Sequence, residues 1–252
     1  MGLPRAIACF TFDNMGEAAD VGAGLDVSLE RLHSSIAIGY PNLYRVLAKH
    51  GVRATFFVEG WNGRHHPDAV AEVVRQGHEL GMHGWVHEAW GTLDPATEAS
   101  LATRATETLE GAAGIRPRGF RAPGGARSAH TEGILKELGY SYDASLGEGM
   151  RPMLLPSGIA QVPFVWPCVD GYHYLRAEPA RPDAVQDSWL RALERVAEQG
   201  GLFLTICHAF ITGIDAERLA VLDTVIAAAA ADRHVTVCTA GEVASALTAP
   251  SS

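Results

Sequence analysis

Residues that can carry out acid–base or metal chemistry lie at the ends of four apolar segments that we predict to be strands. They are Asp13, Asn14, His83, His87, Arg121 and His208. The carboxyl ends of parallel strands meet at one face of a barrel, so these side chains are expected to converge there. For each residue alone, a buried and hydrogen-bonded structural role stays open. Their joint placement favours a catalytic site.

The two histidines of the third segment indicate a possible metal site. His83 and His87 are four residues apart, a spacing that directs both imidazoles at one ion if the segment forms a helical turn. Imidazole binds zinc, cobalt, nickel or iron, and a catalytic site needs a third protein ligand and an open position. Because the chain has 11 histidines, this spacing can also arise by chance.

These residues must be positioned by an alternation of short apolar segments and longer amphipathic ones. The predicted strands are rich in Ile, Val, Phe and Thr: Ala6–Asp13, Ala54–Glu59, Glu79–His83, Gly119–Ala122, Ser141–Asp143, Ala160–Val165, Leu202–His208 and His234–Cys238. The predicted helices lie between them: Tyr40–His50, Pro67–Gln76, Pro95–Ala113, Thr131–Leu138, Pro182–Gln199, Ala216–Ala231 and Gly241–Leu247. This alternation indicates an α/β fold with a parallel sheet, and the number of strands favours a (β/α) barrel over an open doubly wound sheet.

The composition is that of a globular chain, and we predict a single catalytic domain over residues 1–252. The 47% hydrophobic and 19% charged residues exclude a disordered chain. The longest apolar runs, Gly201–Cys207 and Val225–Ala231, are far shorter than the roughly 20 residues that span a bilayer. We therefore expect no membrane partner.

The net charge and the positions of the cysteines indicate which partners and which cellular compartment to expect. The 20 basic and 29 acidic residues give a net charge of −9, and the basic residues are scattered, so no nucleic-acid partner is expected. The four cysteines lie far apart in the sequence, and the first residues do not resemble a secretory signal. These features predict a cytoplasmic protein.

Four motifs together resemble the polysaccharide deacetylase superfamily, the NodB-homology domain. They are TFDN at 11–14, the His83/His87 pair, RAPGG at 121–125 and LTICH at 204–208. Their order and spacing match that family over nearly the whole chain. The resemblance implies a distorted (β/α) TIM-like barrel. It also implies a hydrolase that removes acetyl groups from sugars with a divalent metal, which we take to be zinc, with cobalt or nickel as alternatives.

The resemblance also assigns roles to individual residues. Asp13 matches the catalytic base, Arg121 the residue that orients this base, and His208 the general acid. His83 and His87 match the two metal-binding histidines. A base that deprotonates water and an acid that protonates the departing nitrogen are the groups that amide hydrolysis requires.

Asn14 departs from the family pattern, in which a second aspartate is the third metal ligand. An amide oxygen can coordinate a cation but does not neutralise its charge. Three alternatives follow. Asn14 is the third ligand, which we take as the prediction; Glu17 or Asp20 replaces it; or the site works without a metal. Binding of the metal by Asp13 itself would leave no obvious base.

The substrate is expected to be small. Segments 161–170 and 208–213 resemble the cytosolic branch of the superfamily, which includes allantoinases, cyclic-imide hydrolases and a peptidoglycan deacetylase lineage. We predict removal of an N-acetyl group from an amino sugar or a small sugar-containing metabolite. The alternatives are a cyclic imide or ureide hydrolase, allantoinase-like and possibly metal-independent, and a non-catalytic carbohydrate-binding relic. The predicted substrate contacts are Trp85, Pro123, Gly124, Trp166 and Asp170.

Overall fold

Nine strands form one sheet in the computed structural model, which describes residues 3–147 and 149–248. In chain order they are β1 (Ala6–Asp13), β2 (Thr55–Val58), β3 (Glu79–Met82), β4 (Gly119–Phe120), β5 (Tyr142–Asp143), β6 (Met153–Leu154), β7 (Ala160–Gln161), β8 (Gly201–His208) and β9 (Thr236–Val237). Their order across the sheet is β6-β7-β5-β4-β3-β2-β1-β8, and β9 pairs with the first half of β1.

The sheet curls into an incomplete barrel. The strands pair in parallel, except that β6 is antiparallel to β7. β8 forms one end of the strand order, yet its Ile206 makes an isolated parallel bridge to Val169, which follows β7 near the other end. The two ends of the sheet therefore approach each other. The predicted α/β class and distorted barrel are confirmed.

Helices pack around the outside of the sheet. They are α1 (Ala18–Gly22), α2 (Tyr40–Lys49), α3 (Gly60–His65), α4 (Pro67–Arg75), α5 (Pro95–Ala113), α6 (Thr131–Glu137), α7 (Asp170–Tyr174), α8 (Pro182–Gln199), α9 (Ala216–Ala231) and α10 (Ala240–Thr248). Each predicted helix is present to within two residues at its ends. The short helices α1, α3 and α7 were not predicted, because five or six residues are too few for a periodic pattern. Within the described residues, no helix has the length and apolar character needed to cross a membrane.

Local signals explain where the longest helix begins and ends. The Asp94 side chain accepts hydrogen bonds from the backbone N–H groups of Ala96 and Thr97 at the start of α5. Pro95 occupies the first helical position, where its missing N–H costs nothing. Gly114 ends the helix with a left-handed backbone, φ +71°.

The alternation of side chains along β1 places the candidate base inside the barrel. Phe10 and Phe12 pack in the larger cluster between the sheet and the helices. Ile7 and Cys9 belong to the inner cluster. Since side chains of a strand alternate between its faces, Asp13 shares the inner face with Ile7 and Cys9. The whole length of β1 is buried, and Asp13 lies at its carboxyl end.

The strand register brings the base next to the candidate acid. β1 pairs with β8 along its whole length, and this pairing sets Asp13 directly beside His208. On its other side, Asp13 pairs with Phe57 of β2. Two residues nearly 200 positions apart in the chain are therefore neighbours at the same end of the barrel.

Candidate active site

A cavity of about 260 Å³ opens at the carboxyl ends of the strands. It is lined by Asp13, His83, His87, Arg121, Ala122, Gly124, Gly125, Phe164, Trp166, Val169, Gly171, Tyr172, Leu175, Ile206 and His208. Five of the six predicted chemical residues therefore meet in one site, and Asn14 is the exception. The rest of the lining is mostly apolar.

Asp13 is buried and fixed by Arg121. The Arg121 Nη1 group donates to Asp13 Oδ1 over 2.6 Å and to Thr11 Oγ1 over 2.8 Å, and its Nε donates to the carbonyl of Ala144. The guanidinium also lies 4.2 Å from the ring centroid of Phe57. Burial alone would raise the pKa of Asp13, but Arg121 and the neighbouring histidines outweigh it and lower the pKa. Asp13 is thus an ionised carboxylate whose Oδ2 is available to accept a proton.

His208 is paired with a buried carboxylate, Asp170. The His208 Nδ1 atom lies 2.6 Å from Asp170 Oδ1, so its N–H donates to that oxygen. Asp170 also accepts from the backbone N–H groups of Gly171 and His208 and from the Thr212 hydroxyl. Burial would lower the pKa of His208, but the charge and hydrogen bond of Asp170 outweigh it and raise the pKa. This imidazole is therefore arranged as a proton donor.

His83 is held as a neutral imidazole. Its Nδ1 donates to the backbone carbonyl of Arg121 over 2.9 Å, which leaves an unshared electron pair on Nε2. That Nε2 atom lies 3.9 Å from Asp13 Oδ2. Burial lowers the pKa of His83 to about 3 and also lowers the pKa of His87. The His83 and His87 ring centroids are 5.1 Å apart.

The segment between these two histidines is a tight turn and not the helical turn that their spacing had suggested. Gly84 and His87 both have left-handed backbones, with φ of +73° and +65°. The Glu88 carboxylate accepts from the backbone N–H groups of Trp85 and Val86, each over 3.0 Å, and so fixes the turn. This backbone, and not helical periodicity, brings His87 to the cavity.

Asn14 is engaged away from the cavity by Glu59. Its Nδ2 donates to Glu59 Oε1 over 2.6 Å, and its backbone carbonyl accepts from the Tyr40 hydroxyl. Glu59 Oε2 accepts from the backbone N–H of Met15 and from Asn62 Nδ2. Burial raises the pKa of Glu59 to about 8. The sequence analysis missed Glu59, whose only signal was a polar residue at the end of the second predicted strand.

The two acidic alternatives to Asn14 also have other partners. Glu17 Oε2 lies 2.6 Å from His66 Nε2, and both side chains are buried. Asp20 lies 4.0 Å from His33. Neither acid is among the described residues that line the cavity.

The donors that a metal centre could use here are two imidazoles and one amide oxygen. A catalytic zinc takes three protein ligands and keeps an open position. His83 and His87 offer two imidazoles, and the hydrogen bond from Asn14 to Glu59 uses Nδ2, which leaves the amide oxygen Oδ1 as the third donor. Across residues 3–147 and 149–248, no group of three His, Cys, Asp or Glu side chains is arranged to hold a metal ion.

The predicted substrate contacts divide into two groups. Gly124 and Trp166 line the cavity. Pro123 does not, because its ring packs against Gly84. Asp170 does not line it either, since its carboxylate is fully buried and holds His208.

Trp85 also lies outside the cavity lining, so its role as a substrate contact stays a prediction. It is buried, with its ring beneath the guanidinium of Arg104 at 3.6 Å from the centroid. Gly60 passes so close to the indole that a Cβ there would lie 2.8 Å from it. Trp85 therefore packs the turn against the outer helices.

Comparison with known proteins agrees with this fold. The family described as Polysaccharide deacetylase matches residues 7–142. The crystal structure of a putative polysaccharide deacetylase from Mycobacterium smegmatis superposes with a TM-score of 0.89 at 28% identity, covering 97% of this chain and 90% of that one. The crystal structure of Puue allantoinase gives a TM-score of 0.81 at 19% identity, with 96% and 90% covered, a likeness of fold alone.

A peptidoglycan deacetylase from Helicobacter pylori is 29% identical over 109 residues, which are 43% of this chain and 37% of that protein. The matched region thus spans well under half of that relative's length. Because the family match covers more than half of the chain, this protein belongs to the polysaccharide deacetylase family. That relative and the matched family are named as deacetylases, which hydrolyse non-peptide C–N bonds when they act on N-acetyl groups.

Proposed function

We propose that this protein hydrolyses the C–N bond of a small amide, with Asp13 as the general base and His208 as the general acid. The observation that carries the proposal is the paired arrangement of these groups. Arg121 lowers the pKa of Asp13, Asp170 raises the pKa of His208, and both side chains face one cavity. Two titratable groups shifted in opposite directions are the usual mark of an acid and a base.

The chemistry balances with these two residues. Asp13 Oδ2 takes a proton from water while the water oxygen bonds to the amide carbon. The C–N bond then breaks, its electron pair goes to nitrogen, and that nitrogen takes a proton from His208 Nε2. The products are a carboxylic acid and an amine. The proton on Asp13 returns to His208 through solvent, and Arg121 keeps Asp13 in position throughout.

The substrate proposed first is an N-acetylated amino sugar or a small sugar-containing metabolite. Family membership supports deacetylation. The cavity volume of about 260 Å³ supports a small group, since ligand pockets commonly measure roughly 300–1,000 Å³. A small-molecule substrate also accords with the cytoplasmic location that we propose. The zinc, cobalt or nickel predicted from the sequence would be held by His83, His87 and Asn14 Oδ1, and when bound it would polarise the amide carbonyl.

A second candidate is the opening of a cyclic imide or ureide. It is favoured by the apolar wall of the cavity, which includes Phe164, Val169 and Leu175. A planar ring needs few hydrogen bonds at its faces, whereas each sugar hydroxyl buried without a partner costs about 1–3 kcal/mol. The non-catalytic relic is disfavoured, because a binding module needs no matched Asp13–Arg121 and His208–Asp170 pairs.

The test is a panel of N-acetylglucosamine, other N-acetylated amino sugars, hydantoin, succinimide and allantoin. Acetate release reports deacetylation, and loss of ring absorbance reports ring opening. We expect turnover of one class, reduced about 10²–10⁴-fold by Asp13→Asn and by His208→Gln. Asp26→Asn, at an exposed site, is the matched control. Turnover that survives both active-site substitutions would overturn the assignment.

A further inference from the structure

The wide turn that follows β8 carries a buried hydroxyl group, that of Thr212. Residues Ala209–Gly213 form a π-helical turn directly after His208. Turns of this kind are rare, and they occur frequently at functional sites. Thr212 is 2% exposed, and its Oγ1 donates to Asp170 Oδ2 over 2.7 Å. Thr212 does not line the cavity, so it contacts the site through Asp170 and not through the substrate.

The carboxylate of Asp170 is held by two donors on each oxygen. Oδ1 accepts from the His208 imidazole and from the Gly171 N–H, each over 2.6 Å. Oδ2 accepts from the His208 backbone N–H and from the Thr212 hydroxyl, each over 2.7 Å. Without the hydroxyl, Oδ2 would keep one of these donors, and the carboxylate would be freer to turn about its Cβ–Cγ bond. The Thr212 hydroxyl therefore fixes the carboxylate plane on which the His208 imidazole depends.

The turn is itself anchored on the side of α2. Asn42 Nδ2 donates to the backbone carbonyl of Gly213 over 2.8 Å. A Cβ on Gly213 would lie 2.7 Å from the Cα of Gly39, so a larger residue would force these two segments apart. Thr212 directly precedes Gly213, and the position of its hydroxyl is thus set by close packing outside the cavity.

We infer that Thr212 is a positioning residue for the general acid. Its hydrogen bond holds Asp170 in the orientation that keeps the His208 Nδ1–H bonded, so that His208 Nε2 presents its proton to the cavity. The threonine hydroxyl acts through Asp170, and it neither gives nor takes a proton in the reaction. This inference rests on the proposed hydrolysis, in which His208 is the acid.

The first test needs no substrate. A short hydrogen bond between an imidazolium and a carboxylate gives a low-field proton resonance, which is assigned to His208 by its loss in His208→Gln. We expect Thr212→Ser, which keeps the hydroxyl, to retain this resonance. Thr212→Val and Thr212→Ala, which lack it, should broaden or lose the resonance through exchange with water. A resonance that is unchanged in both hydroxyl-free variants would overturn the inference.

The second test measures the turnover of the best panel substrate. We expect Thr212→Val to lower kcat about 5- to 50-fold, a part of the roughly 10²–10⁴-fold that an acid contributes, with KM unchanged to within a factor of two. Thr212→Ser should keep at least about half of the wild-type kcat. Thr224→Val is the matched control, because Thr224 is exposed on α9 and its hydroxyl donates only to that helix's own backbone. A raised KM with unchanged kcat in Thr212→Val would contradict a positioning role.

The leaving group separates this role from a merely structural one. The 4-nitrophenolate anion departs without a proton, so hydrolysis of 4-nitrophenyl acetate does not need the acid. Thr212→Val should hydrolyse this ester at the wild-type rate to within a factor of two, while its rate on the amide falls. Equal losses on the ester and the amide would overturn the inference. A silent amide panel, with the resonance still dependent on the Thr212 hydroxyl, would instead overturn the proposed function and leave the Thr212–Asp170–His208 arrangement in place.

Discussion

At the scale of single residues, Asp13 and His208 are neighbours across two strands, yet their pKa values move in opposite directions. Each owes this to one partner: Arg121 stabilises the negative carboxylate, and Asp170 stabilises the positive imidazolium. Each partner is itself buried and held by further hydrogen bonds. The fold therefore favours the ionised form of Asp13 and the protonated form of His208.

The pH profile follows from these directions. Activity needs an ionised Asp13, so kcat/KM should rise at a pH below the ordinary range of aspartate. It also needs a protonated His208, so kcat/KM should fall at a pH above the ordinary 6.5 of histidine. Asp170→Asn removes the charge that raises the His208 pKa, and burial then lowers it, so the alkaline limb should move to lower pH.

The measurement is kcat/KM against pH for the wild type and Asp170→Asn. Asp183→Asn is the matched control, because Asp183 is exposed, pairs with Arg181 and does not line the cavity. An alkaline limb that stays in place in Asp170→Asn would show that His208 is not the acid.

Two tryptophans near the site should respond differently to truncation. Trp166 lines the cavity and is 41% exposed, whereas Trp85 is buried beneath Arg104. Trp166→Ala should raise KM by roughly 3- to 10-fold with kcat little changed, as expected for the loss of about 0.5–1.5 kcal/mol of aromatic contact. Trp85→Ala should lower the free energy of unfolding by about 3–5 kcal/mol.

Steady-state kinetics and urea unfolding of both tryptophan variants provide the check. Each variant is the other's control, because the same truncation is made once in the cavity lining, at Trp166, and once in the buried core, at Trp85. A rise in KM for Trp85→Ala without loss of stability would return Trp85 to the substrate contacts.

At the scale of the elements, the loops that carry site residues are tied together by one carboxylate of α5. Glu98 is fully buried and accepts hydrogen bonds from the Trp90 indole and the hydroxyls of Ser128 and Thr131. Trp90 lies in the loop that follows His87, and Ser128 in the loop that follows Gly124 and Gly125. Glu98 therefore joins the two loops that border one side of the cavity.

Glu98→Gln should weaken this link, because an amide accepts at one oxygen only and leaves a hydroxyl donor unpaired. We expect the free energy of unfolding to fall by about 1.5–3 kcal/mol, the range for hydrogen bonds to charged groups. Glu107→Gln on the exposed face of the same helix should change it by no more than about 0.5 kcal/mol. Equal urea midpoints for the two variants would contradict the role given to Glu98.

How far the sequence predicted the structure also differs by element. β1 and α5 were predicted to the residue, because β1 is a continuous apolar strand and α5 has an aspartate cap, a proline start and a glycine end. β4, β5, β7 and β9 proved shorter than predicted, since an apolar run signals burial and does not show where strand pairing stops.

The sequence predicted the position of site residues that lie at the ends of strands. It did not predict the position of residues whose orientation depends on partners far away in the chain. Asp13, Arg121 and His208 were placed correctly because parallel strands share one end. The partner of Asn14 is 45 residues away, at Glu59, and no local spacing reveals it. Trp85 and Asp170 lie outside the cavity lining, because proximity in sequence to the motifs does not show which way a side chain faces.

At the scale of the whole molecule, the size of the cavity bears on the choice between polymer and small substrate. Its volume of about 260 Å³ suits one ring-sized group, and exposed Trp166, Tyr172 and Leu175 are part of its lining. If hydrolysis uses only this space, sugar units added beyond the first contribute little binding in the transition state. The size of the cavity then determines how kcat/KM depends on the length of the substrate.

If the protein deacetylates sugars, kcat/KM should therefore change by less than about 10-fold from N-acetylglucosamine to its dimer, trimer and tetramer. Longer oligomers make no additional contacts with the protein in the transition state. Each tenfold rise in kcat/KM would need about 1.4 kcal/mol of new transition-state binding. The series is run at about 0.15 M salt, because a chain of net charge −9 attracts the partly deacetylated, cationic products, and salt screens that attraction. A steady rise exceeding 100-fold with length would mean that the surface around the cavity binds additional sugar units. The molecule would then act on polymers, as the names of its polysaccharide deacetylase relatives suggest.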